Sequence, residues 1–115
     1  MGEGALTVSE DGVVLYCNPQ LAHFLGFDRN LLVGQDLSAF VTLDQQPALV
    51  KLLDGSVEGT RRAELWLHRA DGTVVPFLVA ATDLDLEGTT VRCLVMTDLS
   101  MRKLVEHQIA IDAAQ

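Results

Sequence analysis

The stretch Arg61-Arg62-Ala63-Glu64-Leu65-Trp66-Leu67-His68-Arg69-Ala70-Asp71-Gly72-Thr73-Val74-Val75-Pro76-Phe77-Leu78-Val79-Ala80-Ala81-Thr82-Asp83 decides the fold class. Ala63, Leu65 and Leu67 alternate with Glu64, Trp66 and His68, the period of two that marks a strand. Ala70-Asp71-Gly72-Thr73 reads as a hairpin turn, with Gly able to take positive φ. Val74–Asp83 is then the next strand. Leu84–Thr89, containing Glu87-Gly88, reads as a second turn, and Thr90–Leu99 as the last strand. Strands joined by turns this short pair antiparallel.

Upstream, Ala5–Ser9 and Val13–Cys17 flank Glu10-Asp11-Gly12 and read as another hairpin. Asn18-Pro19 then starts a helix, Asn as N-cap and Pro at the first position. Leu21, Phe24 and Leu25 share its apolar face and Gly26 ends it. Asp28–Val33 predicts a second short helix, stopped by Gly34, and Asp36–Val41 a third helical turn. Asp44 is expected to cap a longer helix, with Pro47 in its first turn and Ala48, Leu49, Leu52 and Leu53 as its apolar face. Downstream, Ser100 is a plausible N-cap for a helix over Met101–Gln115 striped by Met101, Leu104, Val105 and Ile109. That helix has no stop signal, so a longer parent protein is expected. Two strand blocks around one helical block give an α+β fold, an antiparallel sheet with helices on one face. Residues 1–4 read as an extension, 5–100 as the domain and 101–115 as the start of a linker helix.

Composition narrows the function. The 115 residues carry 8 Lys+Arg against 16 Asp+Glu, a net charge of −8, yet 49% are hydrophobic. That length is one domain. An acidic surface repels phosphate backbones and anionic headgroups, which excludes nucleic acid and direct membrane contact as expected partners. No apolar run approaches a membrane span and no signal peptide is visible, so the module is expected to be cytoplasmic, with any anchor elsewhere in the parent. Cys17 and Cys93 lie at no metal-ligand spacing and read as thiols in a reducing compartment. There is no HExxH, GxSxG, P-loop or GxGxxG. The acidic residues fall at turns and helix starts rather than in pairs suited to acid–base work, so an enzyme is the least favoured class.

The ordered motifs resemble the PAS (Per-Arnt-Sim) family over roughly residues 5–103. Val8-Ser9-Glu10-Asp11-Gly12-Val13-Val14 resembles its opening hairpin, and Tyr16-Cys17-Asn18 the approach to its first helix. Phe24-Leu25-Gly26-Phe27 and Leu32-Val33-Gly34 are similar to its "LGY/F" and "L-x-G" segments. Glu64–Gly72 resembles the strand and turn before its fourth strand. Thr97-Asp98-Leu99-Ser100-Met101-Arg102-Lys103 is similar to its "DIT-x-R-K" exit, with Leu and Ser replacing Ile and Thr. The resemblance implies a five-stranded antiparallel sheet, a pocket between helices and sheet, and a junction that passes signals to an effector, commonly a histidine kinase, beyond the C-terminal helix.

Three residue sets follow. Pocket candidates, taken as inward-facing, are Phe24, Leu25, Phe40, Leu49, Leu53, Leu65, Leu67, Leu78, Val95 and Thr97; a solid core is the alternative. Few are polar, so a bound ligand is expected to be small and apolar. The cofactor is unassigned. The placing of His23, His68 and His107 disfavours haem, and the lack of an Asn-Cys-Arg motif disfavours a covalent flavin. On the opposite sheet face, Trp66, Phe77, Val79, Leu94 and Met96 are expected to form an apolar surface for a homodimer or a docked helix. The expected signal junction is Asp98, Ser100 and Arg102, with Arg102 pairing with Asp98. A ligand-free interaction domain is the alternative.

Overall fold

The computed structural model describes residues 3–100. Strands β1 (Gly4–Ser9) and β2 (Val14–Cys17) come first, then helices α1 (Pro19–Leu25) and α2 (Arg29–Leu32). Two 3-10 turns, Leu37–Phe40 and Leu43–Gln45, lead into α3 (Gln46–Leu52). Strands β3 (Arg61–His68), β4 (Val74–Leu86) and β5 (Thr89–Asp98) follow. The five strands form one antiparallel sheet in the order β2-β1-β5-β4-β3. The helical segment covers one face and closes a single core, in which Leu21, Leu25, Leu32, Leu37, Leu49 and Leu52 meet the inward side chains of the strands. The expected helix over 101–115, and Arg102 with it, lies outside the described residues.

Short polar side chains set the helix starts. Asn18 Oδ1 accepts from the Leu21 N–H at 3.0 Å and from the Ala5 N–H at 3.1 Å, while its Nδ2 donates to the Glu3 carbonyl at 3.0 Å. One residue thus caps α1 and ties it to β1. Asp28 and Asp36 cap α2 and the first 3-10 turn through the N–H groups of Asn30 and Ser38. Asp44 does not cap α3. It sits inside the second 3-10 turn, and α3 starts two residues later without a side-chain cap. The Gln46 amide explains this start: its Nε2 donates to the carbonyls of Ser38 and Val41, both at 3.0 Å, and holds α3 against the preceding turn.

The faces of β4 and β5 are opposite to the expectation. A turn over Ala70–Thr73 with Ala70 opposite Thr73 would place Leu78 across from Leu65. Instead Arg69 donates to the Thr73 carbonyl at 2.8 Å, leaving a three-residue loop whose Asp71 carboxylate holds the Thr73 N–H and hydroxyl. Leu65 therefore pairs with Phe77 and Leu67 with Val75. A one-residue change in loop length reverses every side chain of the following strand. The reversal propagates into β5, where Met96 pairs with Val79 and Leu94 with Ala81. Phe77, Val79, Leu94 and Met96, expected outside, are core residues. Leu78, Val95 and Thr97, expected inside, lie on the outer face. Both faces of β4 are apolar, so alternation alone could not fix its phase.

The second turn is tighter than expected. Only Glu87 and Gly88 leave the ladder, at φ 52° and 85°, the left-handed pair that suits the twist of a two-residue hairpin. β4 consequently runs on to Leu86.

Candidate functional site

Three places among the described residues stand out. The first is a groove of about 220 Å³ between α1 and the ends of β1, β4 and β5. Leu21, Phe24, Phe77 and Met96 form its apolar wall, and Gln20, His23 and Asp98 its polar rim. The Phe24 and Phe77 rings meet edge-on at 5.4 Å, and the Arg69 guanidinium lies 5.1 Å from the Phe24 ring centre. Phe77 is the cross-strand partner of Asp98. Asp98 Oδ1 in turn accepts from the Ser100 N–H at 2.8 Å, and the Leu99 N–H donates to the Pro76 carbonyl. The groove thus touches the point where the chain leaves the sheet. Its volume is below the roughly 300–1,000 Å³ of sites that enclose drug-sized ligands.

Of the expected pocket residues, the structure brings only Phe24 to this groove. Leu25, Leu65 and Leu67 are packed in the core. Phe40 stacks edge-on against Phe27 at 5.4 Å. Leu49 and Leu53 border a separate cleft of about 450 Å³ beside α3. Of the expected junction, Asp98 and Ser100 are joined by the hydrogen bond above.

The second place is the outer sheet face. Cross-strand rows there run Ala5–Val95–Ala80 and Thr97–Leu78–Glu64. Leu78 is 38% exposed and Val95 42%, with half-buried Trp66 on the same face. Arg62 and Glu64 stand at the β3 edge of these rows. Of the residues expected on this face only Trp66 lies there; the exposed apolar side chains of these rows are instead Leu78 and Val95, both expected inside.

The third place was not anticipated. Arg61 and Arg92 are both buried on the inner side, at 9% and 6% exposure, and share one carboxylate, Asp83. Arg61 is fully engaged. Its Nε and Nη2 donate to the Leu52 carbonyl, Nη1 to those of Val57 and Gly59, and Nη2 also to Asp83 Oδ1 at 2.7 Å. Arg92 Nε only approaches the same oxygen, at 3.4 Å. Its Nε and Nη1 are buried and make no hydrogen bond. Above this pair passes the loop between α3 and β3, where Asp54 accepts the Ser56 hydroxyl at 2.6 Å and the Ser56 N–H at 2.9 Å. Those two bonds hold the exposed Asp54 carboxyl below its ordinary value, helped by Arg61 and Arg92. The sequence signal was slight: Asp83 faces Arg92 only once the β4–β5 register is known.

Burial raises the Cys17 thiol above its ordinary value, as suits a core thiol. Among the described residues, no group of three or more His, Cys, Asp or Glu side chains could hold a metal ion, and no helix is long and apolar enough to cross a membrane.

A family model described as "PAS domain" matches residues 2–101. Among solved structures, the PAS domain of an HTR-like protein from Haloarcula marismortui is 23% identical, with a TM-score of 0.74 over 84% of this chain and 80% of that one. The PAS domain of nitrogen regulation protein NR(II) from Vibrio parahaemolyticus is 16% identical, with a TM-score of 0.68 over 84% and 88%. A PAS domain from Colwellia psychrerythraea is 11% identical, with a TM-score of 0.77 over 86% and 87%. A comparison with curated protein sequences found no match. The strand order, the capped first helix and the family match agree, and the chain belongs to the PAS domain family, a class of sensory and regulatory modules.

Proposed function

We propose that this chain is the cytoplasmic sensory module of a multidomain signalling protein, such as a histidine kinase, and that it works as a homodimer through the outer face of its sheet. The observation that carries the proposal is that face. A half-covered antiparallel sheet is ordinarily polar on its open side. Here Leu78 and Val95 stand exposed in adjacent rows beside Trp66 and Ala80. Contiguous apolar surface of this kind marks a contact site. The relay then runs through the groove. An occupant touching Phe77 and Met96 also touches Asp98, whose carboxylate fixes the backbone at Ser100. A small difference in affinity for two positions of that junction is enough to shift their populations. One similar structure comes from a nitrogen regulation protein, which agrees with a place in signal transduction.

Light scattering on the purified chain tests the dimer. Wild type at tens of micromolar is expected at twice the 12.5 kDa chain mass. Leu78→Glu and Val95→Glu are expected to give monomers with unchanged circular dichroism. A wild-type monomer throughout the concentration series, or a dimer indifferent to both substitutions, overturns the outer-face interface.

A further inference from the structure

The chain lays its own backbone along part of each sheet edge. Beside β2, the Val14 N–H donates to the Gln35 carbonyl at 2.8 Å and the Gly34 N–H to the Val14 carbonyl at 2.7 Å. Beside the far half of β3, the Thr42 N–H donates to the Trp66 carbonyl at 3.2 Å and Val41 bridges Leu67. The near half of β3 is different. Arg69 bonds to Thr73 across the loop, so the odd-numbered residues of β3 turn their backbone groups to β4 and the even-numbered ones to the edge. Trp66 obeys this order, and Arg62 shares its phase. Among the described residues no hydrogen bond reaches the edge-facing N–H and C=O of Arg62.

Beside Arg62 lies a cleft of about 680 Å³ between α3, the loop after it and the near half of β3. That is within the roughly 300–1,000 Å³ of ligand sites. Pro47, Ala48 and Leu52 form its α3 wall, Val57 its loop wall and Ala63 its strand wall. Its charges balance. Arg61 and Asp54 belong with Arg92 and Asp83 to one set of two cations and two carboxylates, and Asp44 and Glu64 match Lys51 and Arg62.

We propose that the near half of β3 receives a short extended peptide as a further strand, with its backbone bonded to Arg62 and its inward side chains between α3 and β3. An open strand edge offers N–H and C=O groups at strand spacing, and another main chain is what matches them. A cleft without net charge favours that dipolar main chain over an ion. Alternate residues of an added strand point to one face, so every second side chain enters the cleft, where Ala48, Leu52 and Ala63 suit an aliphatic one. The net charge of −8 repels acidic segments, so the peptide is neutral or basic. This partner site does not rest on the outer-face dimer, and its failure leaves that interface standing.

The test is a titration of the 115-residue chain with the acetylated, amidated peptide Lys-Val-Lys-Val-Lys at fixed ionic strength, followed by amide NMR signals. Saturable shifts are expected at Ala48, Val57 and Arg62, with the Arg62 N–H moving downfield and gaining protection from exchange. With the valines inward, the lysine N–H groups face β3. N-methylation of the lysines is therefore expected to weaken binding at least tenfold, and N-methylation of the valines less than twofold. Glu-Val-Glu-Val-Glu is expected to bind more weakly than the lysine peptide. Ala48→Phe, which fills the cleft from α3, is expected to weaken binding several-fold with unchanged circular dichroism. No saturable shift at millimolar peptide, equal binding by the two N-methylated peptides, or shifts confined to β2 would each overturn the proposal.

Discussion

Two neighbouring substitutions, Phe77→Ala and Leu78→Ala, test the strand register on which every site above depends. Phe77 is 2% exposed and meets Phe24 edge-on. Its removal leaves a void among packed side chains and is expected to cost about 3–5 kcal/mol. Leu78 is 38% exposed. Truncation there removes three carbons, worth about 2.4 kcal/mol in full burial at about 0.8 kcal/mol each. Scaled to the covered part, the cost is about 1.5 kcal/mol, with no enclosed void to add. At roughly 4 °C per kcal/mol for a domain of this size, Phe77→Ala should lower the melting temperature by about 12–20 °C and Leu78→Ala by about 6 °C. Urea and thermal unfolding followed by circular dichroism, at concentrations low enough to keep the chain monomeric, measure both. If Leu78→Ala proves equally or more damaging, the three-residue loop and the facing of β4 are wrong. The outer-face interface would then lose its residues.

Other consequences are as direct. Asn18→Ala removes the α1 cap and strands the Ala5 N–H, so a loss of about 2–3 kcal/mol in urea unfolding is expected, with Asn18→Asp losing less because it still accepts both bonds. Glu87 holds a left-handed backbone that costs a non-glycine residue about 1–2 kcal/mol; Glu87→Asn, which makes an Asn-Gly turn, should raise the urea midpoint, and an unchanged or lower one would contradict the geometry. The Asp54 and Asp71 carboxyls are held below their ordinary value by Ser56 and Thr73, so the stabilisation they give is present above about pH 4 and is lost as pH falls through their lowered folded values. A Ser56→Ala, Thr73→Val double variant should thus be less stable than wild type at pH 6, the difference shrinking near pH 2.5; a difference independent of pH would refute the assignment.

Where local chemistry decides, residues declare themselves in the sequence. Asn18-Pro19 set the start of α1 and Gly26 its end, because a cap and a left-handed residue act within one turn. The alternation of Leu65 and Leu67 gave the correct face of β3, since Glu64 and His68, which flank them on the opposite face, are polar. β4 offered no such contrast: Val74, Leu78 and Ala80 are as apolar as Val75, Phe77 and Val79. Its phase was set by a single residue of loop length, and β5 inherited it. The Arg61–Asp83–Arg92 cluster was hidden for a related reason. Its members come from three strands, and only the folded register brings them together. Asp44 was misplaced as a cap because the competing anchor, Gln46, reaches back to carbonyls at Ser38 and Val41 that no local pattern foretells.

The sheet order has a consequence for how the chain is made. β5, the last of the five strands in chain order among the described residues, stands in the middle of the sheet, between β1 and β4. On the ribosome, the β1–β2 hairpin and the helices must wait with their apolar sides uncovered until residues near 98 emerge. Gly4, near the start, is then paired with Met96. The two ends of the domain close on each other, so completion is all-or-none. A nascent chain halted anywhere before β5 should be a substrate for chaperones and proteases, and emergence of residues 89–98 should abolish that sensitivity in a single step.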